Sequence, residues 1–327
     1  MTASFSRGVF AVAATFLIHP SICFAETAKA TNGSAADPKV SLPANPTPAD
    51  PTPDAAVAAV NAAIDPPPPE ATTQPPEWTP LRFSDFGREL TQKWIPVPNG
   101  SSGAPRQGWL ATADGFFTRE FHLAYDFTNA ERGPDAHEVL VRFNYPLSRR
   151  FWAGIEVPFY QRLSNGADNF GDITLSTLFM LAETRDLSLN AGVAWRLPTG
   201  STRLGNNQFV PTPQVNFFTD IGNGFSFRGR VGYAIADRGT DAVVVNATIG
   251  QTITPHNRAP FGDLTWYLAA NWNEPVNRSA PTFVSITPGL RTHLGGNLFL
   301  LGGIEFPVTP ARDSFRERLI IQIVQGF

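Results

Sequence analysis

From Phe117 to Phe327, apolar side chains recur at every second position in segments of about 10 to 13 residues, separated by clusters of Gly, Asn, Asp and Pro. A period of two is the spacing of strand residues that share one face of a sheet. The clearest segment sets Leu187, Leu189, Ala191, Val193, Trp195 and Leu197 against Ser188, Asn190, Gly192, Ala194 and Arg196. Phe225, Phe227, Val231, Tyr233 and Ile235 oppose Ser226, Arg228, Arg230, Gly232 and Ala234 in the same way, and Val139, Val141, Phe143 and Tyr145 oppose Glu138, Arg142 and Asn144. The pattern predicts twelve strands, near 117–127, 136–147, 150–162, 170–182, 187–198, 208–220, 224–235, 242–253, 263–273, 281–293, 296–307 and 315–327.

Alternation suits both a soluble sandwich, with its apolar face inside, and a membrane barrel, with that face outside. Length separates them, because strands of this size exceed the usual 5 to 6 residues of soluble sheets and match a tilted crossing of hydrocarbon. A lipid-facing sheet must also close, since an open edge would leave backbone groups unpaired where no water reaches. The expectation is an all-β fold, an antiparallel transmembrane β-barrel of about twelve strands over 116–327, with a small-residue and polar lumen. Connections alternate in length as such barrels require. Ser148-Arg149, Thr184 to Asp186, Ile221 to Gly224 and Gly295-Gly296 are tight, whereas Thr199 to Asn207 and Asn273 to Ala280 are long. Thr254 to Gly262 is long where a tight turn is expected, which leaves ten or fourteen strands as alternatives. At the end of the chain Leu319, Ile321, Ile323 and Phe327 alternate, with Gln325 out of pattern. This resembles the closing strand of outer-membrane barrels, whose last phenylalanine is part of the assembly signal, and so implies the barrel-assembly machinery as a partner of Phe327.

Upstream the pattern changes. Arg7, the apolar stretch Val9 to Ile18, Pro20 and Cys23-Phe24-Ala25 follow the grammar of a secretory signal peptide, expected over 1–25. It would remove Cys23, the chain's single cysteine. Residues 26–80 are rich in Ala, Pro, Thr and Asp and read as a disordered, extended periplasmic arm, with a periplasmic or cell-wall partner as one possible role. Over 81–115, the pre-barrel segment, Phe83, Phe86, Leu90 and Trp94 recur at helical spacing from Ser84-Asp85 to Pro96, predicting one short amphipathic helix over 84–94 docked on or inside the barrel.

Composition narrows the function classes. Only 16% of residues are charged, against about 25% in an ordinary soluble domain, while 42% are apolar. The longest charge-free apolar run, Gly8 to Ile18, is shorter than the ~20 residues of a spanning helix. A net charge of −3 and a pI near 6.0 exclude a basic nucleic-acid footprint.

Several motifs resemble a family of outer-membrane proteins described as the MetA pathway of phenol degradation, often labelled transporter or porin-like. They are Phe170-Gly171-Asp172 opening a strand, Leu197-Pro198-Thr199-Gly200 ending one, and the strand core Gly229 to Ala234. The resemblance covers Gly115 to Phe327 and implies, through its name alone, a link to phenol degradation; the family brings no shared catalytic residues.

Candidate chemistry is sparse. His122, His137, His256 and His293 are dispersed without metal-ligand spacing, so no metal or cofactor is expected. Ser164-Asn165-Gly166 reads as a turn rather than a nucleophile. Inward parity instead collects Arg142, Arg196, Arg228, Arg230 and Arg291 with Glu120, Asp126, Glu138, Glu156 and Glu305. Rings of charge of this kind tune solute selectivity in pores, although the same charges could simply pair to fill a narrow barrel. The leading expectation is an outer-membrane channel or transporter for small solutes, aromatic or hydrophobic ones included, and not an enzyme. A structural barrel tethered through its N-terminal arm and an outer-membrane hydrolase are the alternatives.

Overall fold

The computed structural model describes residues 77–112, 115–166, 168–201, 208–276, 281–309 and 315–327. The expected signal peptide and almost all of the Pro-rich arm lie outside the described residues.

Thirteen strands follow in order: β1 (Glu120–Ala130), β2 (Ala136–Pro146), β3 (Phe151–Leu163), β4 (Asp168–Asn169), β5 (Thr174–Glu183), β6 (Leu187–Arg196), β7 (Val210–Gly222), β8 (Phe225–Ala234), β9 (Ala242–Thr252), β10 (Gly262–Pro275), β11 (Phe283–Gly295), β12 (Leu298–Pro307) and β13 (Phe315–Gly326). The two-residue β4 folds back onto β3, pairing Gln161 with Asn169. The other twelve pair antiparallel with their neighbours in sequence, and β1 pairs with β13 from Glu120↔Gly326 to Ala130↔Phe315, so the sheet closes as a twelve-stranded barrel. Among the described residues, closure gives each of the twelve barrel strands a partner on both sides, the condition for β structure in hydrocarbon.

Burial alternates as the sequence does, with the apolar set outside. Phe121, Leu123 and Tyr125 of β1, Trp266 and Leu268 of β10, and Leu319, Ile321 and Ile323 of β13 are exposed. Their neighbours Glu120, His122, Asn271, Arg318 and Gln322 are buried in the lumen. A continuous apolar exterior around a polar interior suits lipid outside and inverts the arrangement of a soluble domain.

Both ends of the barrel chain lie at one rim, because β1 starts opposite the end of β13. The connections β2–β3, β5–β6, β7–β8, β9–β10 and β11–β12 share this rim, called here the turn end. Asn223 and Gly224, both at positive φ, make a two-residue hairpin turn between β7 and β8. The β9–β10 connection stays long at this end, folded by backbone bonds from Arg258 N–H to the Pro255 carbonyl and from Phe261 N–H to the Arg258 carbonyl.

Two features differ from the sequence expectation. The helix is shorter than 84–94: a 3-10 turn, Phe83–Asp85, runs into one α-helical turn, α1 (Phe86–Glu89), and the chain is then extended. Tertiary partners claim the rest of the predicted helix, because the Trp94 indole N–H donates to the Phe117 carbonyl and Arg149 N–H donates to the Gln92 carbonyl. The helix also stays at the rim, with Phe83 exposed, Phe86 against the outward-facing Phe179 and Glu89 bonded to Arg150. The second difference is that β1 begins at Glu120 rather than 117, because the consecutive residues Phe116 and Phe117 are both buried, which a two-residue period forbids.

Leu268, half-way along β10 and outward, tests the lipid-facing assignment. Leu268→Arg should lower the unfolding free energy in bilayers by about 2–4 kcal/mol, as for a cation near the midplane of a barrel wall. A neutral result in denaturant titration of the refolded protein would contradict a lipid-exposed position.

Candidate functional site: a lumen occupied by its own N-terminal segment

The segment before β1 first crosses the turn end on carboxylates supplied by the turns. Ser101 N–H donates to Asp186 Oδ1 at 2.6 Å, and Ser102 donates through its N–H and hydroxyl to the two carboxylate oxygens of Asp220, at 2.9 and 2.5 Å. Gly100 lies so close to Asp220 that a Cβ there would come within 2.1 Å of its carboxylate. Beyond it Arg106, buried, pairs with Glu183 at 3.0 Å and donates to the carbonyls of Thr184 and Arg185. Burial pulls the Arg106 guanidinium below its ordinary value, with Glu183 and Asp186 opposing that shift.

Residues 107–111 then enter the lumen, where no strand is available to satisfy their backbone. Inward side chains do so instead. Arg228 of β8 donates to the Gln107 carbonyl at 2.5 Å, and Arg291 of β11 to the Gly108 carbonyl at 2.5 Å. Tyr267 of β10 accepts from Leu110 N–H at 3.1 Å, and Asn246 of β9 donates to the Ala111 carbonyl at 2.8 Å. The Trp109 ring lies flat on Tyr267, with centroids 5.1 Å apart and planes 2° apart, and the Arg228 guanidinium sits 3.5 Å from the indole centroid. Leu110, Leu301 and Ile320 extend this apolar cluster. Two glycines make the slot: a Cβ on Gly289 would meet the Tyr267 ring at 2.4 Å, and one on Gly250 would meet Trp109 at 2.6 Å. The segment returns through Gly115, whose carbonyl accepts from Ser188, and through Phe116, edge-on to Phe218.

Two small cavities, of about 70 and 80 Å³, flank this loop. Arg142, Arg230 and Thr112 border both; Glu156, Asn144 and Asn216 add to the first, and Asp126, Glu305 and Arg318 to the second. Both cavities are small and bordered by charged side chains.

The residues expected to line the pore divide into four groups. Arg142 pairs with Glu156 across β2 and β3 at 2.5 Å, and Glu305 pairs with Arg318 at 3.3 Å, so part of the lumen charge is internally matched. Glu120 contacts His122 at 3.2 Å, Arg230 donates to Gln214 at 3.2 Å, and Gln161 donates to Glu138. Arg228 and Arg291 hold the inserted loop rather than facing open water. Asp126 borders the second cavity, and Arg196 is half-buried at the end of β6. Ser164 lies in a turn that Gly166 closes at positive φ.

The sequence reading did not single out Arg106, Trp109, Asn246, Tyr267 or Arg318. Tyr267 carried one usable signal, a large aromatic on the inward, polar parity of its strand next to outward Trp266.

Arg228→Met keeps the length of the side chain and removes the charged donor. A charge-assisted hydrogen bond is worth about 1.5–3 kcal/mol, so deuterium exchange at 107–111 should accelerate by roughly 10- to 150-fold, and Gly289→Val should act similarly by displacing Tyr267. Unchanged exchange in both variants would mean that the loop is held by something else.

Hydrogen bonds from Ser101 lower the pKa of Asp186. A carboxylate with a depressed folded pKa stabilises the fold above its unfolded value, and that contribution fades as pH falls through the folded one. The Ser101 amide resonance in micelles should therefore stay constant from pH 7 to about pH 4 and move only below the ordinary aspartate value near 3.9. Movement above pH 5 would refute the anchor.

Among solved structures, an outer membrane channel from Pseudomonas putida F1 is similar, at 13% identity over 68% of this chain and 99% of that one, with a TM-score of 0.52. The KdgM porin follows at 9% identity, 63% and 99% coverage and TM-score 0.46, and the CymD monoaromatic hydrocarbon channel at 8%, 65% and 89%, with 0.39. The first supports the barrel fold. No curated protein matches in sequence. A family model matches residues 99–312, from the segment that crosses the turn end, here the strap (99–106), to the last connection of the barrel, and the chain belongs to that family, described as Putative MetA-pathway of phenol degradation.

Proposed function

We propose that the protein is a narrow outer-membrane channel for small solutes, with aromatic and hydrophobic ones within its range, and that it has no catalytic role. The observation that carries this reading is the lumen itself. A twelve-stranded barrel is wider than the eight-stranded barrels that side chains fill, and here the apolar loop tip, Trp109 and Leu110, borders one of two cavities that Arg142 and Arg230 line together with carboxylates. The first cavity sets Phe116 and Trp152 beside the matched charges of Arg142 and Glu156, which suits a small solute with an apolar ring and a polar substituent. The family's description, phenol degradation, fits a solute of this kind. Short turns belong to the periplasmic side of outer-membrane barrels, so the turn end, the strap and the arm before it are assigned to the periplasm.

Planar-bilayer recording tests the channel directly. The mature chain should show a small, steady conductance, and deletion of residues 99–115 should raise it several-fold. Neutralising Arg142 and Arg230 together should lower anion preference. Silence in both full-length and deleted forms would overturn the channel reading in favour of a structural barrel.

A further inference from the structure

The long β9–β10 connection at the turn end gathers two of the four downstream histidines with one carboxylate. His256 Nδ1 lies 2.6 Å from Asp263 Oδ2, and the His256 and His293 rings stack with centroids 4.1 Å apart and planes 11° apart. One ligand atom from each of His256, Asp263 and His293 falls within 4.8 Å of the other two. We infer that these three side chains form a binding site for a divalent transition-metal ion of the zinc class.

Two observations favour a cation there. The first is the environment of His293. Its Nε2 lies 2.6 Å from the Gly296 carbonyl, and its Nδ1 lies 3.0 Å from the His256 carbonyl. A neutral imidazole has one N–H and one lone pair. With Nε2–H donating to Gly296, the Nδ1 lone pair faces another acceptor, and a positive charge at that point relieves the conflict. The bond to Gly296 is also the kind of outer contact that fixes the tautomer of a metal-bound histidine. The second observation is how the backbone builds the cluster. The register between β10 and β11 shifts between Gly262 and Thr265, and Asp263 adopts φ 45°, which turns its carboxylate back under the connection. A Cβ on Gly262 would lie 2.2 Å from the His256 carbonyl and 3.1 Å from His293 Nδ1, so only glycine admits this approach.

The chemistry of the donors selects the ion. Two imidazole nitrogens and one carboxylate oxygen suit borderline divalent ions such as zinc, nickel or copper rather than calcium or magnesium. Zinc holds such donors at about 2.0–2.2 Å, which separates ligand atoms by about 3.4 Å in a tetrahedron. Reaching that from the present 2.6 Å between His256 and Asp263, with ligand atoms of the trio up to 4.8 Å apart, requires His256 to turn its ring out of the stack on His293 so that both imidazole lone pairs converge on one ion. Its side chain is 56% exposed and has the freedom to do so, while Asp263 is 5% exposed and fixed. Three protein ligands leave a fourth position open. Gln107, at the root of the lumen loop, donates to the same Asp263 oxygen at 3.0 Å, so an ion here would also stiffen the contact between turn and loop.

The test is zinc titration of the refolded mature chain in detergent by calorimetry, with bound metal counted by mass spectrometry after desalting. One zinc per chain is expected. His256→Ala and His293→Ala should each weaken binding by about tenfold or more, and His137→Ala, on the outer wall, should leave it unchanged. No saturable binding by the unmodified chain, or binding that survives the double substitution His256→Ala with His293→Ala, would overturn the site. Heat-modifiable gel mobility checks folding, and if His293→Ala fails to fold, His256→Gln at the exposed position decides. Stabilisation by acid without any response to zinc would mean that a proton, not a metal, meets the cation requirement, and would equally overturn the proposal.

Discussion

An extended backbone inside a barrel has no strand to pair with, and buried N–H and C=O groups left unpaired are costly. This constraint organises the molecule. Four backbone groups between Gln107 and Ala111 are met by Arg228, Arg291, Tyr267 and Asn246, from β8, β11, β10 and β9. Those side chains reach the loop because they share the inward parity of adjacent strands, so the lipid-facing alternation outside and the loop-binding set inside are two consequences of one register. A one-residue slip in β10 would bring Trp266 inward, put Tyr267 into lipid and abolish the slot together with the outer surface.

The same constraint gives the lumen charges their meaning. An arginine on the inward face can pair with a carboxylate, hold a carbonyl or face solute, and the structure distributes these roles. Arg142 and Arg318 have carboxylate partners, whereas Arg228 and Arg291 are committed to carbonyls and stack on Trp109 and Phe299. A passage narrowed in this way is apolar on the loop side and polar on the wall side.

The strands were legible because their information is local: each segment carries its own period of two and its own turn residues. The helix over 84–94 was overestimated for the opposite reason. Its spacing is genuine, yet Trp94 and Gln92 bond to Phe117 and Arg149, partners that no local pattern contains. The lumen loop was missed on the same grounds, since Gln107 and Gly108 meet arginines 121 and 183 residues further along the chain. Parity did mark Arg228 and Arg291 as inward, but whether an inward arginine faces water or a carbonyl depends on what else enters the barrel, and that is decided at Phe116 and Phe117, where the period breaks.

The β9–β10 connection shows how a violated rule can carry information. A tight hairpin between Thr252 and Gly262 would satisfy the barrel, as it does between β7 and β8, and beyond Ile253, whose N–H donates to the Leu264 carbonyl, the additional residues extend no strand pairing. They bring His256 back over Asp263 and His293, across 37 residues of sequence in the second case. Spacing rules for metal ligands assume one helix or one hairpin, so a cluster assembled from a turn, a bulge and the end of the next strand escapes them. The excess length is the trace of it that the sequence retains.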